Sequence, residues 1–375
     1  MAFSWRKVAY LRKMLYFCAE LSVIELIAMR FCHFFDRYAL IIAMVIGAVG
    51  YQWFRHLEWC MPTLIFMMLF FTFCKINPID LRLRTWHTIA LGCQLLLTVG
   101  IYYGMLYGLQ TYADHLEMTP TDIQVISQGI MVCVIMPTAT AAPIIAGKLG
   151  GSIQNLTTFS LLSNLVTALV VPAFFPIVNP SAHIDFLPAM WHILCRVGPM
   201  LLGPFIAAWV VRIGYEAYYR RQGSPRIFAL SPIWASMPFY LWVLLLIVLI
   251  ARITHTLIVE NYSGYSITAL CVGALVTCLL QFVLGRWIGY HFPASNHGKD
   301  YCDVLINPEA AHYSMNKKSS ITAGQAFGQK NTALGVWMAQ MYLHPLSAIG
   351  PAAYIIWQNL FNSWQLWYAG KKHTP

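Results

Sequence analysis

Long apolar runs limit what this chain can fold into. They cover residues 38–54, 60–74, 86–110, 123–146, 153–178, 187–211, 233–251, 266–290, 320–342 and 347–368. A helix needs roughly 20 apolar residues to cross a bilayer, and most of these runs have that length. The run at 60–74 is short and reads as tilted or partly interfacial. Only 10% of residues are charged and 59% are hydrophobic, whereas soluble domains carry about 25% charged residues. That balance excludes both a soluble globular domain and intrinsic disorder. The expected fold is an all-α polytopic membrane protein with ten transmembrane helices.

Charge placement sets the expected orientation. With the N-terminus inside, the outer segments hold only Arg55 and Arg252, while Arg196 and Lys330 fall inside spans. Every other Lys and Arg lies on the inner side, as cytoplasmic loops favour. This bias accounts for the net charge of +10 without a nucleic-acid partner. The expectation is a multi-pass protein of the cell (inner) membrane with both termini cytoplasmic. Residues 1–35 form a separate extension, basic at Arg6, Lys7, Arg12 and Lys13 and then apolar from Met14 to Met29. Because Glu20 and Glu25 interrupt it, an amphipathic cytoplasmic helix on the bilayer surface is expected, with an eleventh span as the alternative. Residues 36–375 are expected to make up the membrane-spanning unit.

Two runs are unlike ordinary membrane helices. The fourth contains Pro137-Thr138-Ala139-Thr140-Ala141-Ala142-Pro143, whose prolines remove amide donors from the helical ladder. The ninth contains the polar, glycine-interrupted patch Gly324 to Asn331. Each lies fourth in a block of five runs, and an odd number of spans gives the two blocks opposite topology. Interruptions at matching places in inverted five-helix repeats point to a transporter site near the midplane. Half-helices starting near Thr140 and Asn331 would turn positive dipole ends and free amides toward a small organic anion.

Other chemistries find little support. None of the fourteen acidic residues falls in the middle of a span, so a carboxylate proton relay or sodium cage is hard to build. The ten cysteines form no CxxC pair, the histidines form no HExxH, and Gly147-Lys148 is followed by Leu149 instead of a Walker Ser or Thr. Neither an enzyme, a metal site nor a bound cofactor is expected. An intramembrane enzyme or a channel on a similar scaffold remains the alternative.

Four stretches carry a resemblance to the bile acid:sodium symporter family: Phe73-Cys74-Lys75 with Asp80-Leu81, Gln94, Thr140 to Ser152 with Pro172, and Gly328 to Asn331. The likeness covers about residues 36–370. It implies a panel of helices 1, 2, 6 and 7 against a core of helices 3, 4, 5, 8, 9 and 10. Helices 4 and 9 would cross at their breaks, and transport would proceed by alternating access. Thr140, Ala141 and Asn331 match positions beside the substrate in such proteins. The family's sodium-binding pattern on helix 9, Glu-x-Gly-x-Gln-Asn, reads here Ala326-Phe327-Gly328-Gln329-Lys330-Asn331. Its Ser-Asn pair on helix 4 becomes Ala142-Pro143, while Gln94 and Ser160 are kept. The resemblance thus implies a transporter whose sodium-binding groups are largely replaced.

Two cations inside spans complete the candidate site. Arg196, on helix 6, either reaches toward the outer interface or holds a substrate carboxylate. Lys330 is expected to act as a built-in cation in place of sodium, beside Gln329, donating to the Gln94 carbonyl. Ser160, Ser163, Asn164 and Thr167 recur at helical spacing and are expected to face helix 4.

Overall fold

The computed structural model describes residues 41–76, 81–115, 117–180, 185–222, 228, 230, 232–259, 264–294 and 313–371. The extension at 1–35 lies outside these residues. The described chain is helical: α1 (41–49), α2 (Tyr51–Phe54), a 3-10 turn (Arg55–Cys60), α3 (Met61–Phe73), α4 (Thr85–Tyr112), α5 (Pro120–Ile135), α6 (Ala142–Lys148) and α7 (Ile153–Val178). Then follow α8 (Phe186–Arg221), α9 (Pro232–Val259), α10 (Gly264–His291), α11 (Met315–Gly328), α12 (Thr332–Tyr342) and α13 (Ile349–Lys371).

Among the described residues, six segments are long and apolar enough to cross a membrane: Tyr51–Phe73, Thr85–Tyr112, Ile153–Val178, Phe186–Arg221, Ser236–Val259 and Gly264–His291. Three of the other apolar runs have identifiable reasons for falling short. The fourth is cut into α5 and α6, and the ninth into α11 and α12. The tenth forms one helix, α13, but it carries a buried polar stripe of Gln358, Asn362 and Gln365 opposite exposed Leu360, Trp364 and Trp367.

Local sequence explains where the helices begin. Thr119 caps α5 by accepting from the Asp122 amide at 3.2 Å, while Asp122 accepts in return from the Thr119 amide at 3.1 Å. This reciprocal box satisfies two amides that the helix itself cannot. Ser152 caps α7 and Ser314 caps α11 by accepting from the Asn155 and Lys317 amides. Gly150, at φ 86°, supplies the left-handed turn between α6 and α7 that other residues adopt at a cost.

Small residues let the central helices approach closely. A Cβ at Gly285 would meet the Ala323 carbonyl at 2.5 Å, and one at Gly289 would meet that of Ser319 at 2.2 Å. This GxxxG pair on α10 brings its backbone against α11, a packing device of membrane helices. Gly129 on α5 and Gly350 on α13 meet in the same way. Helix α3 packs on α8 and α9, while α10 packs on α5, α11 and α13.

Candidate functional site

The two interruptions lie against each other. Pro137 has no amide, and α5 ends just before it. The extended residues that follow pair with the break after α11, forming an antiparallel bridge between Thr138 and Lys330. The Ala139 amide donates to the Gln329 carbonyl at 2.9 Å, and the Asn331 amide donates to the Pro137 carbonyl at 2.7 Å. Thr138 is fully buried, and its Oγ1 donates to the Ala326 carbonyl at 2.8 Å.

Breaking a helix at depth leaves carbonyls that need donors. Side-chain amides and hydroxyls meet many of these. Gln94 on α4 donates through Nε2 to the carbonyls of Val134 and Met136 at 3.0 and 3.1 Å. Gln281 on α10 donates to the Cys133 carbonyl at 3.1 Å, and Thr167 on α7 to that of Ile135 at 3.3 Å. On the other break, Tyr354 donates to the Gly328 carbonyl at 2.8 Å. Gln358 accepts from the Lys330 amide at 2.9 Å and donates to the Lys330 carbonyl at 3.3 Å. Sequence reasoning missed Gln281, Tyr354 and Gln358, although Gln281 is an isolated polar residue in an apolar helix, the signal that marked Gln94.

Of the four α7 residues expected to face the broken fourth run, Ser163 and Thr167 bond to it, Ser163 Oγ accepting from the Thr138 amide at 3.1 Å. Asn164 Nδ2 instead donates within α7, to the Ser160 carbonyl at 2.8 Å. Ser160 and Gln329 are buried, and Gln329 donates to Gln325 Oε1. A polar chain continues from there, with Gln325 and Arg286 both donating to Gln365 Oε1.

Several buried polar atoms have no hydrogen-bond partner among the described residues. The donors include Lys330 Nζ and Asn331 Nδ2, and the acceptors include Gln94 Oε1, Asn164 Oδ1 and Gln281 Oε1. Lys330 is 1% exposed, with its Nζ 5.1 Å from the centre of the Phe327 ring. The expected bond from Lys330 to the Gln94 carbonyl is not made, because Nζ lies over Phe327 and the Gln94 amide nitrogen is engaged with α5. Asn331 caps α12, its Oδ1 accepting from the Leu334 amide at 3.3 Å.

The second half of the fourth run starts two residues after Thr140. Helix α6 starts at Ala142 with Pro143 in its first turn, and Ala141 takes the cap position without a side-chain bond. Thr140 is half-buried and Ala141 exposed beside the break. Arg196 is exposed on α8, within electrostatic reach of Tyr342 at the end of α12. The structure thus gathers Gln94, Gln329, Lys330 and Asn331 around the paired breaks, with Thr140 and Ala141 at their edge. Among the described residues, no group of His, Cys, Asp and Glu could hold a metal ion.

Known proteins supply one further observation. The chain is 24% identical over 280 residues to the uncharacterized sodium-dependent transporter YocS of Bacillus subtilis (strain 168), covering 72% of this chain and 70% of that protein. This similarity supports a transporter. No protein-family model matches the chain. Together with the apolar helices, the similarity to a transporter points to an integral multi-pass membrane protein, and it gives no support to an enzyme.

Proposed function

We propose that the protein is a secondary transporter of small organic anions that works by alternating access. The antiparallel pairing of Thr138 with Lys330 carries this reading. Irregular backbone at membrane depth is tolerated where it lines a cavity, and paired interruptions form a hinge-like site between two halves of a transporter. On this reading ten helices cross the cell (inner) membrane with both termini inside. They form two inverted blocks of five, and the core spans 3, 4, 5, 8, 9 and 10 move against the panel spans 1, 2, 6 and 7.

The anion binds at the start of α12. Asn331 offers its buried Nδ2, the helix adds a positive dipole end, and Thr140 and Ala141 line the approach. Arg196 receives a carboxylate from the panel side. Lys330 supplies the positive charge at the crossing, flanked by Gln329, Gln94 and Ser160, so transport needs no sodium. A lysine at bilayer depth costs about 2.5–3.5 kcal/mol on insertion scales, and the arriving anion offsets that cost. The transporter-like relative supports the class of protein, whereas the sodium dependence in its name is not carried over to this chain.

Uptake kinetics test the site. Arg196→Gln should raise KM for anions with protein levels unchanged; identical kinetics would remove Arg196 from the site. Topology is tested by cysteines introduced near Asp114 and Asp185, which external reagents should label, and near Arg221 and Lys317, which they should not. Labelling near Arg221 in intact cells would overturn the ten-span arrangement.

A further inference from the structure

A second site lies far from the paired interruptions in sequence, where the 3-10 turn after α2 meets the end of α9. A cavity of about 490 Å³ opens there, and Tyr51, Trp53, Arg55, His255, Ile258 and Val259 line it. Its polar wall is basic. Arg55 Nη1 donates to His255 Nε2, and Arg55 Nε is buried without a partner among the described residues. Because Nε2 accepts this bond, the other ring nitrogen of His255 is left as a donor. The nearby carboxylate of Glu58 is engaged by Arg252, so it is committed to another guanidinium.

The apolar wall is uncovered: Trp53 is 81% exposed and Val259 63% exposed, with Ile258 exposed as well, and Trp59 nearby is exposed too. Exposed tryptophans on a membrane protein mark the level of the lipid headgroups. At this depth a guanidinium with an unused donor beside exposed apolar side chains matches one ligand chemistry: a phosphate ester on an acyl chain. Arg binds phosphate oxygens through several parallel donors, and basic pockets between membrane helices hold anionic headgroups.

We propose that this cavity binds the phosphate of an anionic phospholipid. The bilayer supplies the ligand: Arg55 and His255 hold the headgroup oxygens, and the glycerol and acyl chains lie along Trp53, Ile258 and Val259. The site joins α2 to α9 through lipid and does not depend on what the protein transports.

The test is thermal unfolding of the purified full chain in neutral detergent, with native mass spectrometry to count bound lipid. The probes are short-chain phosphatidylglycerol, short-chain phosphatidylcholine and inorganic phosphate. Phosphatidylglycerol should raise the midpoint by several degrees and be retained in the mass spectrum, with phosphatidylcholine and phosphate giving little. Arg55→Gln and His255→Gln should each lose most of this shift, whereas Arg220→Gln, at the far end of α8, should keep it. Equal stabilisation by phosphatidylcholine, or by inorganic phosphate, would overturn the proposal. So would an undiminished phosphatidylglycerol shift in a folded Arg55→Gln protein; if that variant does not fold, His255→Gln decides by the same criterion.

Discussion

Thr138 and Lys330, from opposite halves of the chain, are bridge partners across two interrupted helices. Thr138 also ties the break to α11 through its hydroxyl bond to the Ala326 carbonyl. Thr138→Val keeps the shape and leaves that buried carbonyl without its donor. The expected cost is about 1–3 kcal/mol, seen as a lower unfolding midpoint in detergent. A variant as stable as the wild type would show that the hydroxyl is not what fixes the break.

Lys330 holds its place through its backbone, which pairs with Gln358, while Nζ makes no bond among the described residues. Lys330→Met preserves length and removes a buried charge. It should therefore fold with at least wild-type stability and lose anion uptake by tenfold or more. Wild-type uptake by the Met variant would remove Lys330 as the resident cation.

Asn331 combines two roles that one substitution separates. Asn331→Asp keeps an oxygen for the Leu334 amide, but it replaces the unpartnered Nδ2 with negative charge. Stability should change little, since Asp caps helices as well as Asn, while anion uptake falls by about tenfold or more, the scale of one charged contact. Normal anion transport by this variant would leave Asn331 as a helix cap alone.

Asp122, just before the apolar stretch of α5, gives a pH signature at that end of the protein. Burial pushes its carboxyl up, but hydrogen bonds from Ser266 and Thr119 together outweigh this and hold it below the ordinary 3.8. A carboxyl held low stabilises the fold above its ordinary value, and that contribution is lost as pH falls through the lower folded value. The stability gap between wild type and Asp122→Asn should therefore be full near neutral pH and shrink below 3.8. A gap independent of pH would show that the charge of Asp122 contributes nothing.

The two breaks are legible in the sequence because their chemistry is local. Pro137 lies just past the end of α5, and the polar residues Gln329 to Asn331 separate α11 from α12. What meets the freed backbone groups is tertiary, and only part of it can be read from the residues. Gln94 stands out through its family match, whereas Gln281 carries the same lone-amide signal without one and Gln358 lies among the other polar residues of α13. A Lys330 bond to Gln94 is expected because both occupy cation positions in the family pattern; in the fold, Gln94 turns its nitrogen toward α5. The start of the second half-helix near Thr140 is legible from Pro143, which fits within the first turn of α6 and sets the start at Ala142.

The most direct measurement is uptake of labelled small organic anions into proteoliposomes, run with sodium inside and out, with sodium replaced by potassium, and with an imposed proton gradient. Saturable uptake of at least one anion, persisting when sodium is absent, is the predicted result. Uptake that strictly requires sodium, with sodium stabilising the purified protein, would contradict the assignment of Lys330. Anion flux that never saturates, or no uptake of any anion by correctly folded protein, would contradict transport by alternating access itself.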